Sequence, residues 1–61
     1  GQCYELFYFD KGSWHSLGRR IAREDVLEYE VLQGALLYLK NHTEGQDERI
    51  FEIKDGRQVF W

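Results

Sequence analysis

The stretch Arg49-Ile50-Phe51-Glu52-Ile53-Lys54-Asp55-Gly56-Arg57-Gln58-Val59-Phe60-Trp61 decides the fold class of this chain of 61 residues. An Asp-Gly pair between two β-prone runs is a strong signal for a two-residue hairpin turn of type I′, in which both central residues take a positive φ. Glycine adopts such values freely and aspartate tolerates them. Residues 49–61 are therefore predicted to form a β-hairpin whose register decides which side chains face inward.

Upstream of this hairpin, the first third of the chain predicts a second one. Cys3–Phe9 carries apolar side chains on both alternating sets, as in a strand that is covered on both faces. Residues 10–13 supply the turn into a second strand. Gly18 predicts a bulge or bend in that strand, which then continues with Ile21 facing inward.

The middle of the chain allows two interpretations. Leu27–Val31 alternates apolar and acidic side chains, which is typical of a half-buried strand, and the dense apolar run 35–40 predicts a central strand. Helix is the alternative over Val26–Lys40, because the stretch contains good helix formers. Gly34 and the alternation before it favour the two strands. Residues 41–47 form the longest polar stretch and predict an exposed loop.

Length and composition bound the architecture. A chain of this length has room for one domain and buries roughly 60% of the surface that its unfolded form exposes. Four Phe, four Tyr and two Trp in a 43% hydrophobic chain can fill a compact core. We therefore predict one all-β domain over residues 1–61, a small antiparallel β-sandwich or open barrel of five to six short strands. The start at Gly1-Gln2 without an initiator Met predicts a cloning remnant on a fragment excised from a larger protein.

Charge argues against two classes of partner. Eleven acidic and eight basic residues give a net charge of −3, and the basic residues are spread along the chain. Nucleic acid is not expected, because its binding relies on clustered Lys and Arg. Membrane insertion is not expected either, since the sequence has neither a polybasic amphipathic helix nor an apolar segment of sufficient length.

The sequence carries no convincing catalytic or metal-binding constellation. Cys3 is the only cysteine, which excludes an internal disulfide and predicts a small buried residue in the first strand. His15 and His42 lack metal-ligand spacing and are predicted at the surface. A nucleophile and base formed by Cys3 and His15 is not favoured, because nothing in the sequence places them together. The protein is predicted to be no enzyme and to need no cofactor.

Two patterns in the polar loop are weak. Glu44, Asp47 and Glu48 lie close together, but they lack the spacing of a calcium loop and predict a solvated turn. The triplet Asn41-His42-Thr43 matches an N-glycosylation acceptor by pattern alone.

The aromatic residues are the strongest candidates for a binding site. Flat Trp and Tyr rings on a β-module can stack on sugars or on peptide prolines, and the candidate ligand-binding residues are Trp14, Tyr8, Tyr38 and Trp61, with Tyr4 as a further ring. The alternative is that these rings fill the core or form cross-strand pairs, which stabilise small sheets.

Three stretches of the chain together resemble a known module. They are Tyr4-Glu5-Leu6-Phe7-Tyr8-Phe9 followed by Trp14-His15-Ser16-Leu17-Gly18; Gly34-Ala35-Leu36-Leu37-Tyr38-Leu39-Lys40-Asn41; and Glu48-Arg49-Ile50-Phe51 with Asp55-Gly56-Arg57-Gln58-Val59-Phe60-Trp61. Their order and spacing are similar to the β-rich module at the C-terminal end of large secreted transglutaminase-like proteins of gut bacteria of the Bacteroides type. The chain departs from that module at residues 31–33, where a Pro-containing turn is expected.

The resemblance implies a non-catalytic accessory module of a larger secreted or cell-surface bacterial protein, with Trp61 as a native C-terminus. Catalytic residues of such proteins belong to a separate upstream domain, so none is carried over to this chain. The aromatic content suggests carbohydrate as the ligand. The alternative is a structural or protein-interaction domain that packs against an adjacent domain of the same chain.

Overall fold

A computed structural model describes residues 3–42 and 49–61. Its strands are β1 (Cys3–Asp10), β2 (Ser13–Ala22), β3 (Leu37–Lys40), β4 (Phe51–Lys54) and β5 (Arg57–Phe60). They form one antiparallel sheet in the order β2-β1-β3-β4-β5. The predicted all-β antiparallel domain is thus confirmed, and its five described strands belong to a single open sheet, neither divided into the two sheets of a sandwich nor closed into a barrel.

Both predicted hairpin turns are present. Asp55 and Gly56 have φ values of 53° and 74°, and they connect the directly paired residues Lys54 and Arg57. Two positive φ values in a two-residue loop are the geometry of a type I′ turn, which confirms the prediction. Residues 11–12 repeat this geometry between β1 and β2, with φ values of 52° and 84°.

The predicted irregularity at Gly18 is a bulge in β2. Glu5 pairs with Arg20 and Phe7 pairs with Ser16, so one residue of β1 lies opposite three residues of β2. Gly18, within the longer segment, has a φ of 91°, a value that a residue with a side chain rarely adopts. Because the bulge adds two residues, the alternation of faces along β2 is the same on both sides of it.

The predicted strand over 27–31 is wrong. The segment between β2 and β3 forms two 3₁₀ helices, Arg23–Glu28 and Glu30–Leu32. A 3₁₀ helix has three residues per turn, and the apolar residues Val26, Tyr29 and Leu32 follow that spacing. The amide of Tyr29 donates to the carbonyl of Val26, and that of Leu32 donates to the carbonyl of Tyr29. The helical alternative over Val26–Lys40 holds only as far as Leu32 and only as 3₁₀ helix, because Leu37–Lys40 is strand β3.

The core lies between one face of the sheet and the 3₁₀ segment. Buried side chains on this core face are Tyr4, Leu6, Ile21, Leu37, Leu39, Phe51 and Ile53, and Val26 and Leu32 complete the cluster from the 3₁₀ helices. The predicted central strand is confirmed as β3, which lies in the middle of the sheet with Leu37 and Leu39 inward. Ile21 also faces inward as predicted.

Candidate binding face

The second face of the sheet carries a group of aromatic side chains. We call it the open face, and its side chains from the five strands are Cys3, Glu5, Phe7, Phe9, Trp14, Ser16, Arg20, Ala22, Tyr38, Lys40, Glu52, Lys54, Arg57 and Val59. None of the described elements covers this face, and Phe9 and Val59 are 39% and 40% exposed. Strand β1 is therefore buried on one face only, contrary to the expectation from its sequence.

Four rings on the open face form one contiguous group, the aromatic cluster of Phe7, Phe9, Trp14 and Tyr38. Phe7 pairs directly with Tyr38, and their rings stack with centroids 4.8 Å apart and planes 9° apart. Trp14 meets Tyr38 edge to face at 4.9 Å and Phe9 at 5.2 Å. Such pairs contribute about 0.5–1.5 kcal/mol each beyond their buried area. The rings therefore pack against one another and form one contiguous apolar surface.

A hydrogen-bonded polar group borders the aromatic cluster. Glu5 lies two residues before Phe7 on the same face of β1. The hydroxyl of Ser16 donates to Glu5 Oε2 at 2.6 Å, and His42 Nε2 lies 2.5 Å from Glu5 Oε1. The hydrogen bond from Ser16 and then that from His42 lower the pKa of the Glu5 carboxyl, because both favour its charged form.

Acidification is expected to destabilise the domain through Glu5. Because the pKa of Glu5 is lower in the folded chain than in the unfolded chain, its ionised carboxylate stabilises the fold. This stabilisation is fully present above the ordinary pKa of 4.5 and is lost as the pH falls through the folded-state pKa. Urea unfolding between pH 7 and pH 3 measures this dependence. The variant Glu5→Gln should lose less stability over that range than the wild type, whereas Glu30→Gln, an exposed acid of the second 3₁₀ helix, should follow the wild type. Equal losses in the wild type and Glu5→Gln would contradict this role of Glu5.

The polar group is not arranged as a nucleophile and its base. The Ser16 hydroxyl donates a hydrogen bond to the Glu5 carboxylate, and His42 contacts the other oxygen of that carboxylate. A nucleophilic serine instead donates to the histidine that accepts its proton. Cys3 and His15 are separated as well. Cys3, at the start of β1, pairs with Ala22 of β2, whereas His15 of β2 pairs with Tyr8 near the end of β1. Cys3 is exposed, so the prediction that it is buried is wrong.

Over residues 3–42 and 49–61, no three His, Cys, Asp or Glu side chains converge as metal ligands. No helix in that same part of the chain could cross a membrane.

The acidic residues at 44, 47 and 48 and the Thr of the glycosylation triplet lie outside the described residues. Asn41, its acceptor position, is 4% exposed and is thus closed to a modifying enzyme in the folded chain.

The structure separates the four predicted ligand-binding residues. Trp14 and Tyr38 meet in the aromatic cluster. Tyr8 lies on the core face, where it packs against the core and stacks on His15 at 5.5 Å. Trp61 follows β5 and is 71% exposed, but four strand spacings, roughly 19 Å, separate β5 from the strand of Trp14. Only two of the four rings therefore share one surface.

Two parts of this surface are absent from the sequence prediction. Phe7 and Phe9 belong to the aromatic cluster, and the apolar residues on both alternating sets of β1 were a signal for them. The contact between Glu5 and His42 joins residues that are 37 positions apart, so no local sequence pattern predicts it.

No protein-family model, curated protein or solved structure matches this chain. The resemblance to the C-terminal module of transglutaminase-like proteins therefore stays a prediction.

Proposed function

We propose that this chain is a non-catalytic accessory module that docks onto an adjacent domain of a larger secreted or cell-surface bacterial protein through its open face. The aromatic cluster on an uncovered sheet face is the observation that carries the proposal. An apolar sheet face is ordinarily buried against a second layer of structure. Here the 3₁₀ segment covers the core face, and no described element covers the other.

The composition of the open face fits a protein partner. Protein interfaces are enriched in aromatic residues at the centre and in polar and charged residues at the rim. On this face Phe7 and Tyr38 lie at the centre, and the charged side chains of Glu5, Lys40 and Glu52 surround them along β1, β3 and β4. The cluster is already packed in the free chain, so docking would order few additional side chains.

Ring orientation favours a protein surface over a flat sugar platform. The stacked rings of Phe7 and Tyr38 each cover one face of the other, and Trp14 stands at 72° to Tyr38. Together these rings present a ridged apolar surface rather than parallel rings with free faces. Interdigitating side chains of a second layer match such a surface.

Replacing Trp14 by alanine is expected to weaken docking by at least about tenfold, because central aromatic residues dominate interface energies. The test adds the adjacent domain of the parent protein as a separate polypeptide to the isotope-labelled chain and follows amide shifts and affinity. Trp61→Ala is the matched control, since it removes an exposed Trp far from the cluster. A normal affinity of Trp14→Ala, or an equal loss in Trp61→Ala, would argue against docking through the open face.

Carbohydrate binding at the same face is the second candidate. The observation that favours it is the position of the Glu5 carboxylate and the Ser16 hydroxyl beside the rings. Ligand sites commonly combine an apolar lining with a few well-placed polar groups. Titration with a panel of glycans at millimolar concentration, followed by tryptophan fluorescence and amide shifts, separates the two candidates. Unchanged spectra with every glycan would remove this second one.

A further inference from the structure

A small cleft on the core-face side of β5 is lined by two arginines. Its volume is about 140 Å³, and its lining residues are Arg23, Leu39, Arg49, Phe51 and Phe60. The Arg49 guanidinium lies 4.7 Å from the centroid of the Phe60 ring, and that of Arg23 lies 4.8 Å from the centroid of Tyr4. We call this site the two-arginine cleft. A guanidinium that is stacked on a ring, as that of Arg49 is on Phe60, still directs N–H groups outward in its plane.

The cleft adjoins an edge strand of the sheet. Strand β5 is the last in the strand order. The Trp61 amide donates to the Ile50 carbonyl at 3.0 Å, which makes this a hydrogen-bonded pair of the β4-β5 ladder. Hydrogen-bonded and non-hydrogen-bonded pairs alternate along an antiparallel ladder. The backbone N–H and C=O groups of Gln58 and Phe60 therefore point away from β4, along the outer edge of the sheet.

The two edges of the sheet differ in how they are protected. Strand β2, at the other edge, has a bulge at Gly18 followed by two adjacent arginines, and bulges and charges are common devices against strand addition. Strand β5 pairs with β4 in unbroken register. Phe60 on this edge is 40% exposed, and Trp61 directly after it is 71% exposed.

We propose that β5 accepts an extended acidic segment of a partner polypeptide as a sixth strand, and that a carboxylate of this segment binds in the two-arginine cleft. Gln58 Nε2 donates to the carbonyl of Arg23 at 3.1 Å, so Arg23 lies beside β5 on the core-face side. Alternate side chains of an added strand point to that same side. Arginine and carboxylate form charge-assisted hydrogen bonds, which selects acidic over basic segments.

This surface is separate from the aromatic cluster, whose rings lie on β2, β1 and β3 and on the opposite face. The proposal therefore goes beyond docking through the open face and does not depend on it. It adds a second interaction surface. The edge of β5 recognises the backbone and the charge of a partner segment, whereas the open face contacts a partner through aromatic rings.

The test titrates a blocked hexapeptide of alternating glutamate and valine into the isotope-labelled chain at 150 mM salt. Amide shifts are expected at residues 57–61, and amide exchange should slow at Gln58 and Phe60. A lysine-valine peptide of equal length should bind more weakly. Arg49→Gln is expected to weaken binding of the glutamate peptide about three- to fivefold, as the loss of one exposed charge pair implies. Arg20→Gln makes the same charge change at the β2 edge and should leave binding unchanged.

A backbone variant tests strand addition while every side chain is retained. The chain can be made by chemical synthesis, and N-methylation of the Phe60 amide removes one outward donor without touching the β4-β5 ladder. Loss of peptide binding with an intact fold is expected. Equal binding of the glutamate and lysine peptides, shifts confined to β2 or to the open face, or pairing of β5 with a second copy of the chain would each overturn the proposal.

Discussion

Replacing Phe51 by alanine is expected to remove most of the stability of this domain. Phe51 is 1% exposed, pairs with Leu37 of β3 and Phe60 of β5, and meets the Phe60 ring edge to face at 5.6 Å. A buried Phe→Ala change costs about 3–5 kcal/mol through lost transfer energy and the cavity left behind. A domain of 61 residues has a total unfolding free energy of about 3–9 kcal/mol. The variant is therefore expected to be largely unfolded or close to it.

Urea unfolding followed by circular dichroism measures this loss. Val31→Ala is the matched control, because it also shortens an apolar side chain but at a position that is 86% exposed, and such a change stays within about 0.5 kcal/mol. The control carries a second test. If residues 27–31 formed the predicted strand, Val31 would face inward and its truncation would cost as much as a core substitution. A loss at Val31 comparable to that at Phe51 would contradict the 3₁₀ segment.

The sequence could predict elements whose geometry is set by a few neighbouring residues. The Asp55-Gly56 turn is one such element, since its two backbone conformations follow from two residue types. The 3₁₀ segment is the opposite case. Leu27, Tyr29 and Val31 fit a period of two, and Val26, Tyr29 and Leu32 fit a period of three just as well. Tertiary burial of Val26 and Leu32 decides between them, and no local signal contains that information.

The candidate site depends on contacts that are distant in sequence. Trp14 and Tyr38 could be named as rings, but their contact requires β2 and β3 to lie on either side of β1. Cys3 shows the same limit. Its residue type predicts burial, yet it belongs to the alternating set of β1 that faces away from the core. Which set faces the core is decided by the 3₁₀ segment, which covers one face only.

Substitution of Gly56 should have opposite effects with the two mirror forms of alanine. The φ of Gly56 is 74°, which costs an L-residue roughly 1–2 kcal/mol and suits a D-residue. D-alanine also restricts the unfolded chain more than glycine does, which stabilises by about 0.4–1 kcal/mol where the native conformation is allowed. The restriction of the unfolded chain is the same for both mirror forms, so the two variants, both made by synthesis, should differ in unfolding free energy by about 1–2 kcal/mol.

Steric crowding does not add to the cost of the L form, because an L-residue's Cβ at Gly56 meets no atom within 4 Å beyond its chain neighbours. The backbone alone then decides the sign of the effect. Gly12 provides an internal repeat, since its φ of 84° and its open surroundings are similar and its turn joins β1 to β2. Urea unfolding of the four variants should give the same order at both turns. Equal stability of the L- and D-alanine forms at Gly56 would mean that the turn is not of type I′. It would then also contradict the register of β5 against β4, and the proposed strand addition at β5 depends on that register.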